Sequence, residues 1–404
     1  MLQTFFAAAA LQLGYNATLV TIGAGLLGIA AGAGGSFLFL RKRALVSDAV
    51  AHATLPGVGL AFLVMVAFGG DGRNLPGLLA GSAASAAAGL YLVDWITRGT
   101  RLAEDAAIGA VLSVFFGAGI VLLTVIQTLD TGRQAGLEGF LLGSTAGMLF
   151  QDAVVIAAGG ALTVAAIVLL RRPMTAVAFD PEYAASTGTN VRAIDLAMMA
   201  LVMAVTVIGL KIVGLILIVA LLIIPAVTAR FWTDRTDRLV LYAGLFGGAS
   251  GYVGAAVSAS APGLPTGPII VLTAFGLFLA AMLFAPQRGL VAAALRHRQF
   301  RLRVHERQGL LAIARGERIF DGLTLRVLTG RGLIRADGVA TKAGQALAAR
   351  ALWDERRWQE ARQVYRNEAV AGRYDGLTPI EEVLTYDEIE EIDRRIAGPA
   401  TVLD

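Results

Sequence analysis

The chain has 404 residues, 56% of them hydrophobic and 16% charged, which excludes an ordinary string of soluble domains and places much of its surface in lipid. Its lack of cysteine excludes disulfides, thiolate metal sites and cysteine nucleophiles. The net charge of +4 is unevenly built, because 27 of the Asp, Glu, Lys and Arg residues fall in 1–286 and 37 in 287–404, so two physically different bodies join near Pro286.

Nine apolar runs are each long enough to span a bilayer: 16–40, 44–68, 75–97, 106–127, 150–170, 193–210, 212–230, 238–259 and 267–286. The expected fold is therefore an all-α polytopic membrane protein. No basic stretch precedes the first run, and 18–40 exceeds the apolar region of a cleaved leader, so this span is expected to be retained. One set of connecting loops holds Arg41, Lys42, Arg43, Arg98, Arg101, Arg171, Arg172, Arg192, Arg230, Arg235 and Arg238, and the other holds Arg73, Arg133 and Lys211. Eleven against three puts the first set in the cytoplasm, the N-terminus outside and residues 287–404 inside. Small residues such as Gly32, Gly34, Gly35 and those of 83–89 let helices approach closely where lipid supplies no drive for association. Pro56 and Pro225 each remove a backbone donor inside a span and are expected to kink or break it.

Asp48 and His52 are four residues apart, which places both on one helix face about one turn from each other. A carboxylate and an imidazole together suit manganese, iron or zinc and suit an organic solute poorly. Ionisable groups within a span mark a polar path, so an ion-path role is one reading. On the other, Asp48 solvates the helix end and His52 makes one interhelical hydrogen bond.

Around this pair the sequence resembles the metal-uptake permeases of ABC transporters over residues 15–286. The resemblance rests on RKRALVSDAVAHATLPG at 41–57, EDAAIG at 104–109, ALLIIPAVTAR at 220–230 and LPTGP at 264–268. It implies that Asp48 and His52 line the path of a transported divalent metal ion, with no permanently bound cofactor. It also implies that the segment Phe179, Asp180, Pro181, Glu182, Tyr183 to Gly188, in a loop after Pro173, is a coupling helix that docks on an ATPase. The residues suit a short capped helix: Asp180 at the N-cap, Pro181 in the first helical position, Glu182 against the positive helix end and Gly188 to terminate.

No phosphate-cradling G-x-x-x-x-G-K-[S/T] loop surrounds Lys42, Lys211 or Lys342, the chain's three lysines. The chain is thus not expected to be an enzyme. The resemblance implies separate cytoplasmic ATP-binding subunits, an extracytoplasmic metal-binding protein, a second permease chain of the same or a related kind, and residence in a bacterial inner membrane. Two other classes stand beside it: an ion-coupled secondary carrier using Asp48 and His52, and a membrane-tethered regulator.

Residues 287–404 form the expected second domain, cytoplasmic and of winged-helix-like α(+β) type. Helical patterning covers 308–315, 318–331 and 341–368, with a short hairpin around Asp337 and Gly338. Residues 325–353 are similar to the winged helix of diphtheria-toxin-repressor-type regulators, and 380–385 to their metal-site segment. Where those regulators carry a histidine this chain has Glu382, and no histidine follows His305, so metal sensing of that kind is not expected. Arg318, Arg326, Arg331 and Arg335 surround the expected recognition helix, but 20 basic against 17 acidic residues from 287 onward argue against nucleic acid and for a protein-contacting appendage. Asp387, Glu388, Glu390, Glu391 and Asp393 read as a solvated acidic helix face before a metal cluster.

Overall fold

A computed structural model describes residues 2–70, 72, 74–128, 147–261, 263–365 and 371–397. Arg73 and Arg133, two of the three basic residues assigned to outer loops, lie outside the described residues. The chain divides into two compact units, Met1–Ala292 and Ala293–Asp404.

In the first unit a short helix, α1 (Leu2–Ala9), precedes α2 (Tyr15–Leu40), α3 (Leu45–Ala67), α4 (Leu75–Gly99) and α5 (Glu104–Gln127). There follow α6 (Phe150–Phe179), α7 (Pro181–Ser186), α8 (Val191–Val213), α9 (Leu215–Arg230), α10 (Thr236–Ala259) and α11 (Thr266–Phe284). Eight of these helices are long and apolar enough to cross a membrane, against the nine expected. The difference lies in the run 212–230. Its break falls at Gly214, whose φ of 79° only glycine adopts without strain, and not at the charge of Lys211. The 16 residues of α9 span about 24 Å at 1.5 Å per residue, short of a hydrocarbon core of about 30 Å.

Neither Pro56 nor Pro225 breaks its helix. Burial holds the helix together across the missing donor, since Leu55, Val58 and Phe62 around Pro56 all pack in one cluster. The loop expected after Pro173 is likewise helical. Met174 and Val177 bury against Phe37 and Met198, and that contact carries α6 on to Phe179.

Backbone meets backbone where α2 crosses α10. A Cβ added at Gly28 would strike the Gly247 carbonyl, one at Gly32 the Ala243 carbonyl, and one at Gly251 the Ala24 carbonyl. Similar close approaches seat α3 between its neighbours: Gly57 lies against Gly81 of α4, and Gly119 of α5 against Leu55. In lipid, such contacts supply the van der Waals energy that a hydrophobic drive supplies in water. Gly247→Val is therefore expected to destabilise the unit by about 2 kcal/mol through overpacking, read as a lower unfolding midpoint in detergent. Gly276→Ala, whose added methyl meets nothing within 4 Å, should leave the midpoint unchanged or raise it.

The second unit contains most of α12 (Leu290–Arg315), then α13 (Gly322–Gly330), α14 (Lys342–Val364) and α15 (Tyr386–Ala397). The expected hairpin is reduced to a single antiparallel bridge between Ile334 and Ala340, and no strand occurs among the described residues. Asp337, which accepts from Val339 N at 3.1 Å, and Gly338 at φ 83° make the turn, but α13 ends at Gly330 and α14 starts at Lys342, which leaves too few residues on either side for a longer ladder. One cluster packs Leu310, Leu328, Leu333 and Ile334 on Ala348 and Ala351. Another packs Trp358 and Ala361 on Ile380, Leu384, Ile389 and Ile392, and Trp358 Nε1 donates to the Thr378 carbonyl at 2.9 Å.

The acidic face of α15 is engaged by its surroundings: Glu388 accepts from Thr385 N at 2.7 Å, Glu391 pairs with Arg395 at 2.8 Å, and Asp393 pairs with Arg357. No group of three or more metal-ligating side chains occurs among the described residues.

Tyr374 donates to Glu355 at 2.6 Å, and burial, followed by that hydrogen bond and the carboxylate charge, pushes its phenol up to about 12. The folded state then keeps a proton that the unfolded chain releases near pH 10. The resulting stabilisation is complete below that pH and is lost as pH rises from about 10 to 12. Tyr374→Phe should remove one late phenol from the ultraviolet pH titration and flatten the loss of stability across that window.

Candidate metal centre

The α2–α3 turn is tight. After Leu40 the chain reverses through Lys42 in the left-handed region, φ 58°, and Arg43 N returns to the Leu38 carbonyl at 2.9 Å. α3 then starts at Leu45, which puts Asp48 in its first turn, where the positive helix end favours a carboxylate. Val46, Ala49 and Val50 are buried in the main apolar cluster, and this burial sets the rotation of α3. Asp48 and His52 occupy the remaining face.

The two side chains do meet. His52 Nε2 lies 3.4 Å from Asp48 Oδ1, within ion-pair range and longer than a normal N–H···O bond. The Phe116 ring of α5 stands edge-on to the imidazole, centroids 4.9 Å apart at 84°. His52 Nδ1 is buried with no hydrogen-bond partner among the described residues, so the expected alternative of an interhelical hydrogen bond does not form. Pro56 also withholds the helical donor from the His52 carbonyl. Asp48 is 37% exposed and His52 18%, so the pair is neither sealed in packing nor freely solvated. A carboxylate with open access, beside an imidazole whose Nδ1 is uncommitted and whose Nε2 meets only that carboxylate, can offer two donors to one cation.

The other expected site residues sit at the junction of α6, α7 and α8. Phe179 ends α6, and Asp180 caps α7 by accepting from Tyr183 N at 2.9 Å, with Pro181 in the first turn and Glu182 beside it. Gly188, at φ 84°, allows the chain to leave α7. Phe179 and Tyr183 are 66% and 62% exposed, while Ala184 is buried in the cluster that holds Met174 and Val177. The short helix is thus anchored by one small residue and presents two aromatic rings outward.

A third group was not anticipated from sequence. Asp195 of α8 receives two arginines from the α2–α3 turn: Arg41 Nη2 at 2.9 Å and Arg43 Nη1 at 3.0 Å. Arg41 Nη1 also donates to the Val177 carbonyl of α6 at 2.9 Å, and Arg43 Nε lies 2.8 Å from Glu104, the first residue of α5. Sequence reasoning had assigned Arg41 and Arg43 to loop charge and to the 41–57 block of the resemblance, and had given them no partner. The available signal was Asp195 itself, the one acid in the apolar run 193–210.

A family model, the ABC 3 transport family, matches residues 15–285. The manganese transport system membrane protein MntC of Bacillus subtilis is 43% identical over 298 residues, 74% of this chain and 67% of that protein. The zinc transport system membrane protein TroC of Treponema pallidum is 37% identical over 288 residues, 71% of this chain and 95% of that protein. Among solved structures, PsaBC from Streptococcus pneumoniae in complex with Fab superposes with a TM-score of 0.61 at 28% identity, covering 71% of this chain and 98% of the other. The matched segment contains the Asp48 and His52 pair, the Asp180-capped helix and the Asp195 ion pairs, and this chain belongs to the ABC 3 transport family.

Proposed function

We propose that this chain is the transmembrane permease subunit of an ABC importer that carries divalent transition-metal ions, manganese, zinc or iron, into the cytoplasm. The observation that carries the reading is the Asp48 and His52 pair: two donors on one face of a membrane helix, half-open, with imidazole Nδ1 tied to no protein partner among the described residues and Nε2 facing only the Asp48 carboxylate. The names of MntC and TroC, which concern manganese and zinc transport, agree with this donor chemistry. Two donors make a weak site, and a cargo site must release its ion. A second permease chain, the same or related, and water would complete the coordination.

Energy comes from cytoplasmic ATP-binding subunits, because the sequence has no phosphate-cradling loop. The exposed rings of Phe179 and Tyr183 on α7 suit a docking contact with them. An extracytoplasmic metal-binding protein delivers the ion on the opposite side; the short α9 makes the ninth crossing where the bilayer thins around it, which leaves the N-terminus outside and residues 287–404 inside a bacterial inner membrane. Residues 287–404 act in the cytoplasm as a protein-contacting appendage. Three of the four arginines around the expected recognition helix are engaged, Arg331 with Glu306, Arg335 with Asp337 at 3.4 Å and Arg326 with the Gly322 carbonyl at 3.1 Å, which favours that role over DNA binding.

In reconstituted vesicles, Asp48→Asn and His52→Ala are each expected to lower manganese uptake about tenfold or more, while the ATPase subunit still co-purifies. Wild-type uptake by either variant would overturn the ion-path assignment. Replacing Phe179 and Tyr183 together by Ser should instead reduce recovery of the ATPase on the purified permease. Unchanged recovery would remove α7 from the docking surface.

A further inference from the structure

The ion pairs at Asp195 join the two groups of site residues. On one side, α7 leads into α8 through only Thr187–Asn190, a linker that no apolar run cushions. Asn190 caps α8 by accepting from Ala193 N at 3.0 Å, so the first turn of α8 is rigid, and Asp195 lies just beyond it. Glycines in the left-handed region stand at both ends of this element, Gly188 at φ 84° and Gly214 at φ 79°. α8 is thereby an unbroken helix between two points where the backbone leaves helical geometry.

On the other side, Arg41 and Arg43 belong to the turn that starts α3, and Asp48 follows Arg43 by five residues. The chain turns through Lys42 in the left-handed region, and both arginines reach the same carboxylate from that turn. All four charged side chains are between 14% and 32% exposed, so the pairs are shielded from much of the solvent screening that weakens surface ion pairs. Two guanidinium groups on one carboxylate also have a defined geometry that apolar contacts lack.

Resting on the reading of α7 as the ATPase-docking helix, we infer that Asp195 is a positioning residue for ion translocation. It ties α8, the helix that follows α7, to the turn that precedes Asp48. A displacement of α7 moves the start of α8, Asp195 carries Arg41 and Arg43 with it, and the first turn of α3 shifts the Asp48 carboxylate relative to its surroundings. Glu104 extends the same tie to α5, the helix whose Phe116 abuts His52. Both donors of the metal pair are thus reached from one carboxylate.

The test uses the full chain with its ATPase subunit and binding protein in vesicles, and reads ATP hydrolysis and manganese uptake separately for wild type, Asp195→Asn, Asp195→Glu and Arg43→Gln. Asp195→Asn should assemble and hydrolyse ATP within about twofold of wild type, while manganese moved per ATP falls about tenfold, the size of a typical coupling between sites. Asp195→Glu, which keeps the charge, should restore most of the uptake, and Arg43→Gln should show the same split as Asp195→Asn. Wild-type uptake per ATP in Asp195→Asn overturns the inference. So does a parallel fall of hydrolysis and uptake, or failure of both Asp195→Asn and Arg43→Gln to assemble, because each describes a brace for the fold. A wild-type complex without ATP-dependent manganese uptake is a different failure, and it removes the functional reading itself.

Discussion

Close contact between helix backbones is the constraint on which the membrane unit rests. Lipid is as apolar as a leucine side chain, so helices gain little by hiding apolar groups from it and must gain by fitting together. The glycines of α2 and α10 answer that requirement directly, since side chains at Gly28, Gly32 or Gly251 would collide with the facing carbonyls. α3 is seated the same way, against α4 through Gly57 and Gly81 and against α5 through Gly119. With one face thus occupied by small residues and another by Val46, Ala49 and Val50, α3 has little freedom to rotate, and the direction in which Asp48 and His52 project follows from packing elsewhere on the helix.

That arrangement explains how an ionisable pair is tolerated in a span without being neutralised by partners. A buried histidine in a passive helix bundle normally has its ring nitrogens satisfied, because an unpaired polar atom in a dry site costs about 1–3 kcal/mol. His52 instead meets an aromatic edge on one side and, at 3.4 Å, a carboxylate on the other. Donor capacity is thus held in reserve at this site, and on the function proposed above it is what a cation would use in transit. Its partial exposure limits the desolvation cost and leaves a way in and out.

Much of this was legible in the sequence, and the reasons differ from residue to residue. The spans were readable because hydrocarbon thickness imposes a length, and Asp48 with His52 because the helical repeat turns a spacing of four into adjacency. The cap at Asp180 was readable because capping is local chemistry. The break before α9 was placed at Lys211 and occurs at Gly214, since a charge marks where solvent is and only a backbone conformation marks where a helix stops. The continuation of α6 beyond Pro173 depends on Met174 meeting Phe37, a contact between residues far apart in the chain that no local pattern records. The hairpin in the second unit was overread: a two-residue turn signal was present, but flanking strands long enough to pair were not. Asp195 was missed for the same reason as Met174, because its partners lie some 150 residues earlier in the sequence.

The location of the Asp195 ion pairs also bears on what they can do. Deep in a membrane, separating a guanidinium from a carboxylate would expose two charges to hydrocarbon and would lock the helices in one arrangement. At the helix ends, where the four side chains remain 14–32% exposed, water is available to a charge that loses its partner. Such a contact holds a defined geometry while its rearrangement costs less than that of a pair buried in hydrocarbon. Glycine-mediated backbone contacts between α2 and α10 offer no comparable alternative packing, since any sliding brings carbonyls into one another. The molecule thus divides its contacts by chemistry: steric contact keeps α2 and α10 in register, and paired charges tie the α2–α3 turn to the first turns of α5 and α8.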